Sequence, residues 1–318
     1  MNNLAFLALA LVVDSFAGYP PALQKRVGHP VQWIGALIAF LDDGLNDDEA
    51  SDRDRRISGV MALAVIILLP AFAASLIAWL LVKIPGGFIL NILLASSLIA
   101  QKSLREHVTA VANALPQSVP QARIEVAKIV GRDVSTLDQS GIAKASLETL
   151  AENTADGIVA PAFWYALLGL PGIAAYKAIN TADSMIGHKS EKYLAFGWAA
   201  ARADDLVNII PARLTGLLFA GASLVNSKAA ATAALKAMWR DAGKHRSPNA
   251  GWPEAAMAGS LGVRLGGPRA YEGEIVDLAT MGDGREKLNF ADIRSGLQLY
   301  EHSLIILLGL VVILAMVL

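Results

Sequence analysis

The run from Ile57 to Val82 contains no charged residue. A helix of ~20 apolar residues crosses the hydrocarbon core of a bilayer, so this run is long enough to span one. Inside hydrocarbon the chain itself must hydrogen-bond every backbone N–H and C=O, which leaves helices and closed barrels as spanning structures. Because no notable stretch alternates apolar and polar residues at the period of a strand, the sequence predicts a helical membrane protein.

Other apolar runs extend this prediction to an all-α, polytopic fold with about four to six membrane segments. Phe88 to Ala100 follows a turn at residues 83–87, and we expect it to return as the second helix of a hairpin. Ser303 to Leu318 is apolar to its end and is expected to span or nearly span. Leu4 to Val13 is shorter, and we expect it to lie partly in the membrane interface.

Two further apolar segments are interrupted. Residues 158–179 contain Gly-Leu-Pro-Gly at 169–172, and residues 206–225 contain Pro211 and Arg213. Interrupted helices at membrane depth are tolerated where they are buried in protein or line a wet cavity. The first break is equally compatible with a re-entrant segment and with a simple turn between core helices. We favour the re-entrant interpretation, because the polar motifs would then converge on one side of the membrane.

The composition supports a membrane setting. Charged residues make up 17% of the chain and hydrophobic residues 54%, with a mean hydropathy of +0.46; soluble domains usually carry about 25% charged residues. The net charge of −1 indicates no nucleic-acid partner, and the absence of cysteine excludes disulfides, thiolate metal sites and cysteine nucleophiles. We expect a single membrane domain over residues 1–318, with polar regions at residues 18–56, 101–155, 181–205 and 227–302.

Lysine and arginine predict how the chain is oriented. Residues 18–56 contain five, residues 101–154 contain six and residues 227–302 contain ten, whereas residues 181–205 contain three. Loops rich in these residues usually stay in the cytoplasm. We therefore predict a multi-pass protein of the cell (inner) membrane, embedded in the lipid bilayer, with its catalytic polar regions on the cytoplasmic side.

Three acidic residues are spaced four apart before the first interrupted segment. Glu148, Glu152 and Asp156 would stack on one face of a helix, where like charges destabilise it unless cations compensate. Carboxylates together with phosphate oxygens are typical ligands of Mg²⁺. The alternative is a solvated helix face paired with Lys144. The neighbouring Asn153 favours the ligand interpretation.

Polar residues cluster again from Lys177 to His188. Lys177, Asn180 and Asp183 lie near the end of an apolar helix, which suits a phosphate-bearing ligand: lysine for phosphate charge and aspartate for magnesium. A single His188 is more often a structural histidine than a catalyst, so we assign it no role.

A third polar motif follows at Arg202, Asp204 and Asp205, and continues to Asn208. Asp-Asp-x-x-Asn at a membrane surface is similar to the magnesium–diphosphate motifs of membrane prenyltransferases. The alternative, an acidic cap on a helix N-terminus, explains both aspartates but not Arg213, which lies inside an apolar run. Arg202 and Arg213 are therefore candidate phosphate ligands.

Two weaker signals complete the candidates. Residues 247–268 contain Asn249 and several glycines, which permit close approach of the backbone to a ligand, but they match no nucleotide-binding fingerprint. Arg105 and His107 follow the predicted hairpin, where they suit either a ligand or simple anchoring at the interface.

Taken in order, these motifs resemble one family, the CobD/CbiB membrane proteins of cobalamin biosynthesis, which are adenosylcobinamide-phosphate (cobinamide) synthases. The resemblance runs nearly end to end and rests on several long motifs. They are His29 to Gly35, Ser103 to His107, Gly131 to Asp133, Glu148 to Asn153, Asp156 to Pro161, Tyr176 to His188, Ala201 to Asp205, Pro211 to Arg213 and Ser247 to Glu254. One departure is Tyr19, where the family commonly has an acid.

The resemblance implies an enzyme, an ATP-dependent acid–amine ligase. It would join the free propionate of the corrinoid (adenosyl)cobyric acid to aminopropanol or its O-phosphate, with ATP and Mg²⁺ as cofactors. A carboxylate is a poor acceptor for an amine, and phosphorylation turns it into an acyl phosphate with a good leaving group. Two further kinds of partner stay open: a second copy of this chain, and later enzymes of the corrinoid pathway.

Residue roles follow from this expectation. We predict metal ligands at Glu152, Asp156, Asp183, Asp204 and Asp205, of which all but Asp204 are also assigned to catalysis. We predict nucleotide or phosphate ligands at Lys177, Asn180, Arg202, Arg213, Asn249 and Arg105. Two alternatives stay open: a prenyltransferase-like enzyme that uses a magnesium-bound lipid diphosphate, and a non-enzymatic membrane sensor like AmpE.

Overall fold

The described residues form a helical protein with two short pairs of antiparallel strands. The computed structural model describes residues 2–131, 133–267, 269–271, 274–276 and 279–318. The α-helices are α1 (Asn3–Phe16), α2 (Pro21–Val27), α3 (Pro30–Leu45), α4 (Asp52–Val82), α5 (Gly87–Ser96), α6 (Gln101–Ala114), α7 (Val119–Val126), α8 (Gln139–Thr154), α9 (Ala160–Ile186), α10 (Trp198–Val207), α11 (Ile209–Ala222), α12 (Lys228–Asp241), α13 (Gly251–Leu261) and α14 (Phe290–Val317). A π-helical turn, Ala155–Val159, separates α8 from α9.

The strands lie between α13 and α14. They are β1 (Leu265–Gly266), β2 (Arg269–Tyr271), β3 (Glu274–Val276) and β4 (Thr280–Met281). β1 pairs with β4 and β2 pairs with β3, each antiparallel. The sequence did not predict these pairs, because strands of two or three residues are too short to show an alternating pattern. The all-α prediction is confirmed.

Four helical stretches in the described residues are long and apolar enough to cross a membrane. They are Asp52–Val82, Gly87–Ala114, Gln139–Ile186 and Phe290–Val317. Two pairs of helices, each interrupted by a short break, would raise the number to six: Asn3–Phe16 with Pro21–Leu45, and Trp198–Val207 with Ile209–Val225. The predicted range of segments is therefore confirmed, by length and composition.

Helix α4 shows why this chain needs a bilayer. Its side chains at Leu68, Phe72 and Trp79 are each more than half exposed. A row of large apolar side chains facing water would be strongly unfavourable, whereas hydrocarbon solvates them. Pro70 lies within the helix. Proline is tolerated in membrane helices because neighbouring groups can satisfy the carbonyl that it leaves without a donor.

The helices form two compact units. The first unit contains residues 1–100, 160–208 and 311–318, and the second contains residues 101–159 and 209–310. The prediction of a single domain was made from the sequence and stays a prediction. Most of the polar region 18–56 is helical, and α14 begins at Phe290, well before the apolar run at Ser303.

The core of the first unit lies where α3, α4, α9 and α10 meet. Ile38, Ile66, Ala182 and Phe196 are among its buried residues. A small residue allows close approach here: a Cβ at Gly59 of α4 would lie 1.9 Å from the carbonyl oxygen of Phe196, in the turn before α10. Close packing of backbones at small residues is a common means of helix association in membranes, where the hydrophobic effect between helices is absent.

Helix α9 is broken at Gly169, within the predicted Gly-Leu-Pro-Gly interruption. Gly169 has φ +66° and ψ −151°, a combination open essentially only to glycine. A Cβ at this position would also lie 3.3 Å from Oδ1 of Asn3. The break therefore depends on glycine both for its backbone angles and for its contact with α1.

We expect Gly169→Ala to destabilise the first unit by about 1–3 kcal/mol, the usual cost of forcing a side chain into this backbone region. The free energy of unfolding should be measured by denaturant titration in detergent micelles. Gly44→Ala is the matched control, because a Cβ there has no neighbour within 4 Å. Equal stability of both variants would show that the break does not require glycine.

The second unit is built around α8, α11, α12 and α13. A Cβ at Gly259 would lie 2.5 Å from the carbonyl oxygen of Ala233, so α12 and α13 are in close contact. At the end of α12, buried Asp241 accepts hydrogen bonds from Arg240 (2.6 Å), Lys244 (2.7 Å) and the Gly282 N–H (2.9 Å). This carboxylate therefore connects α12 to the segment that follows β4.

These contacts predict a pH dependence of stability. Burial raises the pKa of Asp241, but the hydrogen bonds from Arg240, Lys244 and Gly282 outweigh burial and lower it to about 2. A carboxyl with a lowered folded-state pKa stabilises the fold above its unfolded pKa, and this contribution is lost as the pH falls from about 4 to about 2. Since the cationic partners are about half exposed, we expect about 1–2 kcal/mol.

Thermal unfolding of the wild type and of Asp241→Asn between pH 2 and pH 7 tests this expectation. The stability difference between the two proteins should be largest near neutral pH and should shrink below pH 4. Subtracting the two curves removes the contributions of the other carboxyl groups. A difference that does not change with pH would contradict the role of the Asp241 charge.

Candidate functional site

A chain of hydrogen bonds links α9 to α10 within the first unit. We call its five members, Tyr176, Lys177, Asn180, Asp204 and Asn208, the α9–α10 cluster. Lys177 Nζ donates to Asn180 Oδ1 (3.3 Å), and Asn180 Nδ2 donates to Asp204 Oδ1 (3.4 Å). Asn208 Nδ2 donates to Asp204 Oδ2 (3.0 Å), and the Tyr176 hydroxyl donates to Asn208 Oδ1 (3.0 Å). Asp204 is thus held through both of its oxygens.

Helical spacing explains part of this cluster. Lys177 and Asn180 are three residues apart on α9, and Asp204 and Asn208 are four apart at the end of α10, so each pair shares a helix face. Asn208 is the C-cap of α10 and is buried, and its amide is satisfied by Tyr176 and Asp204. Trp164 also joins the two helices by donating its indole N–H to a carbonyl of α10.

The other predicted ligands of the first unit lie on the same two helices. Asp183 is half-buried, one turn beyond Asn180 on α9, and a Cβ at Gly187 would lie 2.1 Å from its Oδ1. Arg202 Nη1 lies 3.2 Å from Oδ2 of Asp205, an ion pair that is partly exposed. The structure therefore places a lysine, an arginine and three aspartates on α9 and α10, together with the amides of Asn180 and Asn208.

The three acids spaced four apart, Glu148, Glu152 and Asp156, have different environments in the second unit. Glu148 is buried, and its Oε1 accepts a hydrogen bond from the backbone N–H of Gly266 (2.7 Å). Glu152 is exposed, four residues further along α8. Asp156 lies in the π-helical turn, so the regular spacing ends before it. π-Helical turns inside α-helices are frequent at functional sites. Glu148 anchors β1, which leaves Glu152 and Asp156 as the candidate ligands.

Arg213 stacks on an aromatic ring within the second unit. Its guanidinium carbon lies 4.3 Å from the centre of the Trp252 ring, and its Nη1 donates to the carbonyl of Ile209 (2.7 Å). The Trp239 ring meets Trp252 edge-on at 5.1 Å. The ring contact and the backbone hydrogen bond restrict the position of the guanidinium. Arginine can bind an anion through two parallel N–H groups. Helix α11, which carries Arg213, packs against the π-helical turn.

The Ser247–Glu254 motif forms the turn that begins α13. Ser247 Oγ accepts hydrogen bonds from the backbone N–H groups of Asn249 and Ala250, each at 3.2 Å. The Trp252 indole N–H donates to the carbonyl of Pro248 (3.1 Å). Asn249 is buried at this turn. The motif therefore positions Trp252 beneath Arg213. Pro268, the last residue of the predicted glycine-rich loop, lies outside the described residues.

The predicted site residues are divided between the two units. The first unit contains Lys177, Asn180, Asp183, Arg202, Asp204 and Asp205, and the second contains Arg105, Glu152, Asp156, Arg213 and Asn249. Arg105 is half-buried on α6. We call a second group of residues the α11–α13 cluster. Its members are Arg213, Trp239, Asn249 and Trp252.

The donor set fits magnesium that arrives with a nucleotide. Within the described part of the chain, no three Asp, Glu or His side chains form a group that could hold a metal ion. Mg²⁺ characteristically uses one or two carboxylates and completes its octahedron with substrate phosphates and water. Asp204 retains acceptor capacity for this role, because each carboxylate oxygen has a second lone pair beyond the amide hydrogen bond.

The sequence did not predict two contacts of the candidate site. The aromatic support of Arg213 was not predicted, although Trp252 belongs to a quoted motif, because nothing in the sequence joins it to α11. The role of Tyr176 in holding Asn208 was likewise missed. A signal was present in both cases. Trp252 and Tyr176 each lie in a motif whose polar residues were already candidate ligands, so a contact with those residues could have been considered.

Comparisons with known proteins identify the family of this chain. The family model described as CobD/Cbib protein matches residues 7–300. The chain is 51% identical to a cobalamin biosynthesis protein CobD of Rhodobacter capsulatus, over 99% of both chains. It is 46% identical to a protein of the same name from Sinorhizobium sp, over 99% of this chain and 98% of the relative. A third, from Brucella suis biovar 1, is 45% identical over 98% and 96%. No solved structure matches the chain. The chain belongs to the CobD/Cbib protein family.

Proposed function

We propose that this protein is the membrane ligase that joins (adenosyl)cobyric acid to aminopropanol or aminopropanol O-phosphate at the expense of ATP. Its relatives match it along nearly their full lengths and are named cobalamin biosynthesis proteins. This supports a role in cobalamin biosynthesis. The finer assignment, an ATP-dependent amide ligation, rests on the expectation from the family resemblance and on the chemistry of the two clusters.

The proposed reaction has two steps. A carboxylate oxygen of the corrinoid attacks the γ-phosphorus of ATP, the bond to the β-phosphate oxygen breaks, and ADP leaves. The amine nitrogen then attacks the acyl carbon, phosphate leaves with the bonding electrons, and the nitrogen loses a proton. Positioning and charge stabilisation carry most of the catalysis in phosphoryl transfer, so the protein must supply cations, acids and fixed donors.

The α9–α10 cluster would bind the phosphates and their metal. Lys177 would contact phosphate oxygens. Asp204, together with one of the neighbouring acids Asp183 and Asp205, would hold Mg²⁺, which when bound neutralises the charge on the transferring group. Arg202, paired with Asp205, would contact the phosphates from the neighbouring turn. Asn180 and Asn208 would keep the Asp204 carboxylate in one orientation.

The α11–α13 cluster would bind a second anionic or aromatic group. Arg213, fixed on Trp252, would receive a phosphate, and Asn249 would contact the nucleotide or the corrinoid. Glu152 and Asp156 would supply further carboxylates for metal or for the ammonium group of the amine. Either acid would also serve as the base that accepts the amine proton.

The observation that carries the proposal is the chain Lys177–Asn180–Asp204–Asn208. It places a cation and a doubly held carboxylate within one hydrogen-bonded network, in a chain that matches its family over nearly its whole length. A carboxylate fixed by two amides is pre-oriented for a metal, and a nearby lysine suits the phosphate that accompanies it. The prenyltransferase alternative gains no support from the comparisons.

We also propose that the catalytic regions face the cytoplasm, as the distribution of lysine and arginine suggests. The chain has no cysteine, so single cysteines can be placed at Ser190 and Gly243 without background. A membrane-impermeant maleimide should label both in inverted membrane vesicles and neither in intact spheroplasts. Labelling of either residue from the outside would contradict this orientation.

The ligase assignment is tested with purified protein in detergent. The protein is incubated with cobyric acid, Mg²⁺-ATP and either aminopropanol or its phosphate, and the corrinoids are analysed by mass spectrometry. We expect an amide product that requires ATP and one of the two amines. The proposal fails if folded protein gives no ATP-dependent product with either amine, whether the corrinoid is adenosylated or not.

A further inference from the structure

An apolar cavity of about 320 Å³ lies within the first unit. It is bounded by α3, α4, the end of α5 and α9, and its lining is apolar except for Ser97. Its volume is at the lower end of the range for pockets that bind small molecules. Apolar cavities favour hydrocarbon over water, because water placed there would lack hydrogen-bond partners. None of the polar residues assigned to the ligase lines this cavity.

Two flanks of the cavity are formed by residues that face the bilayer. Leu69 and Ile77 line it from α4; they are 52% and 40% exposed, on a helix that is long and apolar enough to span a membrane. Trp33 lines it from α3 and is 57% exposed. Tryptophan is enriched where membrane proteins meet the headgroup region. Hydrocarbon from the bilayer is therefore the solvent next to this cavity.

Two basic residues belong to the helical turn that contacts Trp33. The indole N–H of Trp33 donates to the carbonyl of Val27 (2.9 Å), so the last turn of α2 is held against the residue that lines the cavity. That turn carries Lys25 and Arg26, and no residue of α2 is buried. Between Asp14 and Asp42 these two are the only residues with a full charge, so no acid in this part of the sequence offsets them.

We propose that this cavity holds one acyl chain of an anionic phospholipid, with the lipid phosphate bound by Lys25 and Arg26. A bound lipid needs three things. The apolar lining accommodates the acyl chain, contact with the bilayer gives a route of entry, and the basic turn supplies charge for the headgroup. A bound lipid would fill the space between α3, α4 and α9 and so brace the helix that carries the α9–α10 cluster.

Binding is measured by native mass spectrometry of delipidated protein titrated with dioleoyl phosphatidylglycerol or dioleoyl phosphatidylethanolamine. We expect the wild type to prefer the anionic lipid. The double variant Lys25→Gln/Arg26→Gln should lose about 30-fold in affinity for phosphatidylglycerol, the effect expected from two basic groups at an anionic surface, with little change for phosphatidylethanolamine.

Filling the cavity tests the acyl-chain half of the proposal. Ala73 lines the cavity from α4 and is exposed, so Ala73→Phe should fill it and weaken both lipids about tenfold, as expected when a ring displaces at least two methylenes. Ala64→Phe is the matched control: the same change on the same helix, also exposed, outside the cavity. Ala74→Leu replaces Ala73→Phe if that variant does not fold.

The proposal is overturned if Ala73→Phe and Ala64→Phe bind phosphatidylglycerol equally, or if the double variant binds it as the wild type does. Equal affinity of the wild type for the two lipids also overturns it, since Lys25 and Arg26 would then have no role. None of these results depends on ligase activity, so the lipid site and the proposed function fail or stand separately.

Discussion

Replacing Asp204 by asparagine is expected to lower kcat of the ligation on the order of 10²–10³-fold, the usual effect of removing one group that stabilises charge in a transition state. Asparagine keeps the shape of the side chain, and it can still accept a hydrogen bond from Asn180 or Asn208. What it loses is the negative charge that a magnesium ion requires. The fold should therefore survive while the chemistry fails.

The matched control is Asp43→Asn, the same change at an exposed acid of α3 in the same unit. Its activity should equal that of the wild type. A metal role for Asp204 also predicts that the variant needs more Mg²⁺ to reach its own half-maximal rate, a shift that a purely structural role would not produce. Full activity of folded Asp204→Asn at low Mg²⁺ would remove Asp204 from the metal site.

Arg213→Lys is expected to lower kcat/KM for ATP about 100-fold, although the positive charge is kept. Lysine cannot stack on Trp252 as a plane and cannot offer two parallel N–H groups to a phosphate. A loss of one charge-assisted hydrogen bond, roughly 2–3 kcal/mol, corresponds to this factor. Steady-state kinetics with ATP as the varied substrate measures it.

Arg294→Lys is the matched control for this change. Arg294 also lies over an aromatic ring in the second unit, with its guanidinium carbon 5.2 Å from the centre of the Phe290 ring. If stacking matters only for stability, both variants should lose stability and neither should lose activity. The proposed role requires that Arg213→Lys alone changes the kinetics with ATP.

The fold was predictable where a local pattern determines it. The run of apolar residues at 57–82 predicts α4, and the break of α9 at Gly169 lies within the Gly-Leu-Pro-Gly sequence that predicted an interruption. The start of α14 at Phe290 was not predictable from apolar run length, because its first turns are polar and are held in the second unit. Tertiary context extends a helix beyond its apolar run.

The candidate site was predictable only in part. The pairs Lys177 with Asn180 and Asp204 with Asn208 follow from helical spacing, because residues three or four apart share a helix face. The contact between Asn180 and Asp204 depends on how α9 packs against α10, and the stacking of Arg213 on Trp252 joins residues far apart in the chain. No periodicity encodes such contacts.

Glu148 shows how a correct pattern can hide different roles. Its spacing from Glu152 and Asp156 suggested one acidic stripe with one purpose. Because α13 and β1 pack against α8, Glu148 is buried and accepts the N–H of Gly266, whereas Glu152 remains exposed. A buried carboxylate needs a hydrogen-bond donor, and a neighbouring strand supplies it here. Burial, which the sequence does not show, separates the structural acid from the candidate ligands.

The measurement that tests the proposed function most directly follows the oxygen of the corrinoid carboxylate. Cobyric acid labelled with ¹⁸O in its free carboxylate is converted with unlabelled ATP, and the inorganic phosphate is analysed by mass spectrometry. Activation as an acyl phosphate predicts one ¹⁸O atom in the phosphate for each amide formed, with ADP as the other product. Product formation without ATP, or phosphate that contains no ¹⁸O, would contradict the proposed ligase.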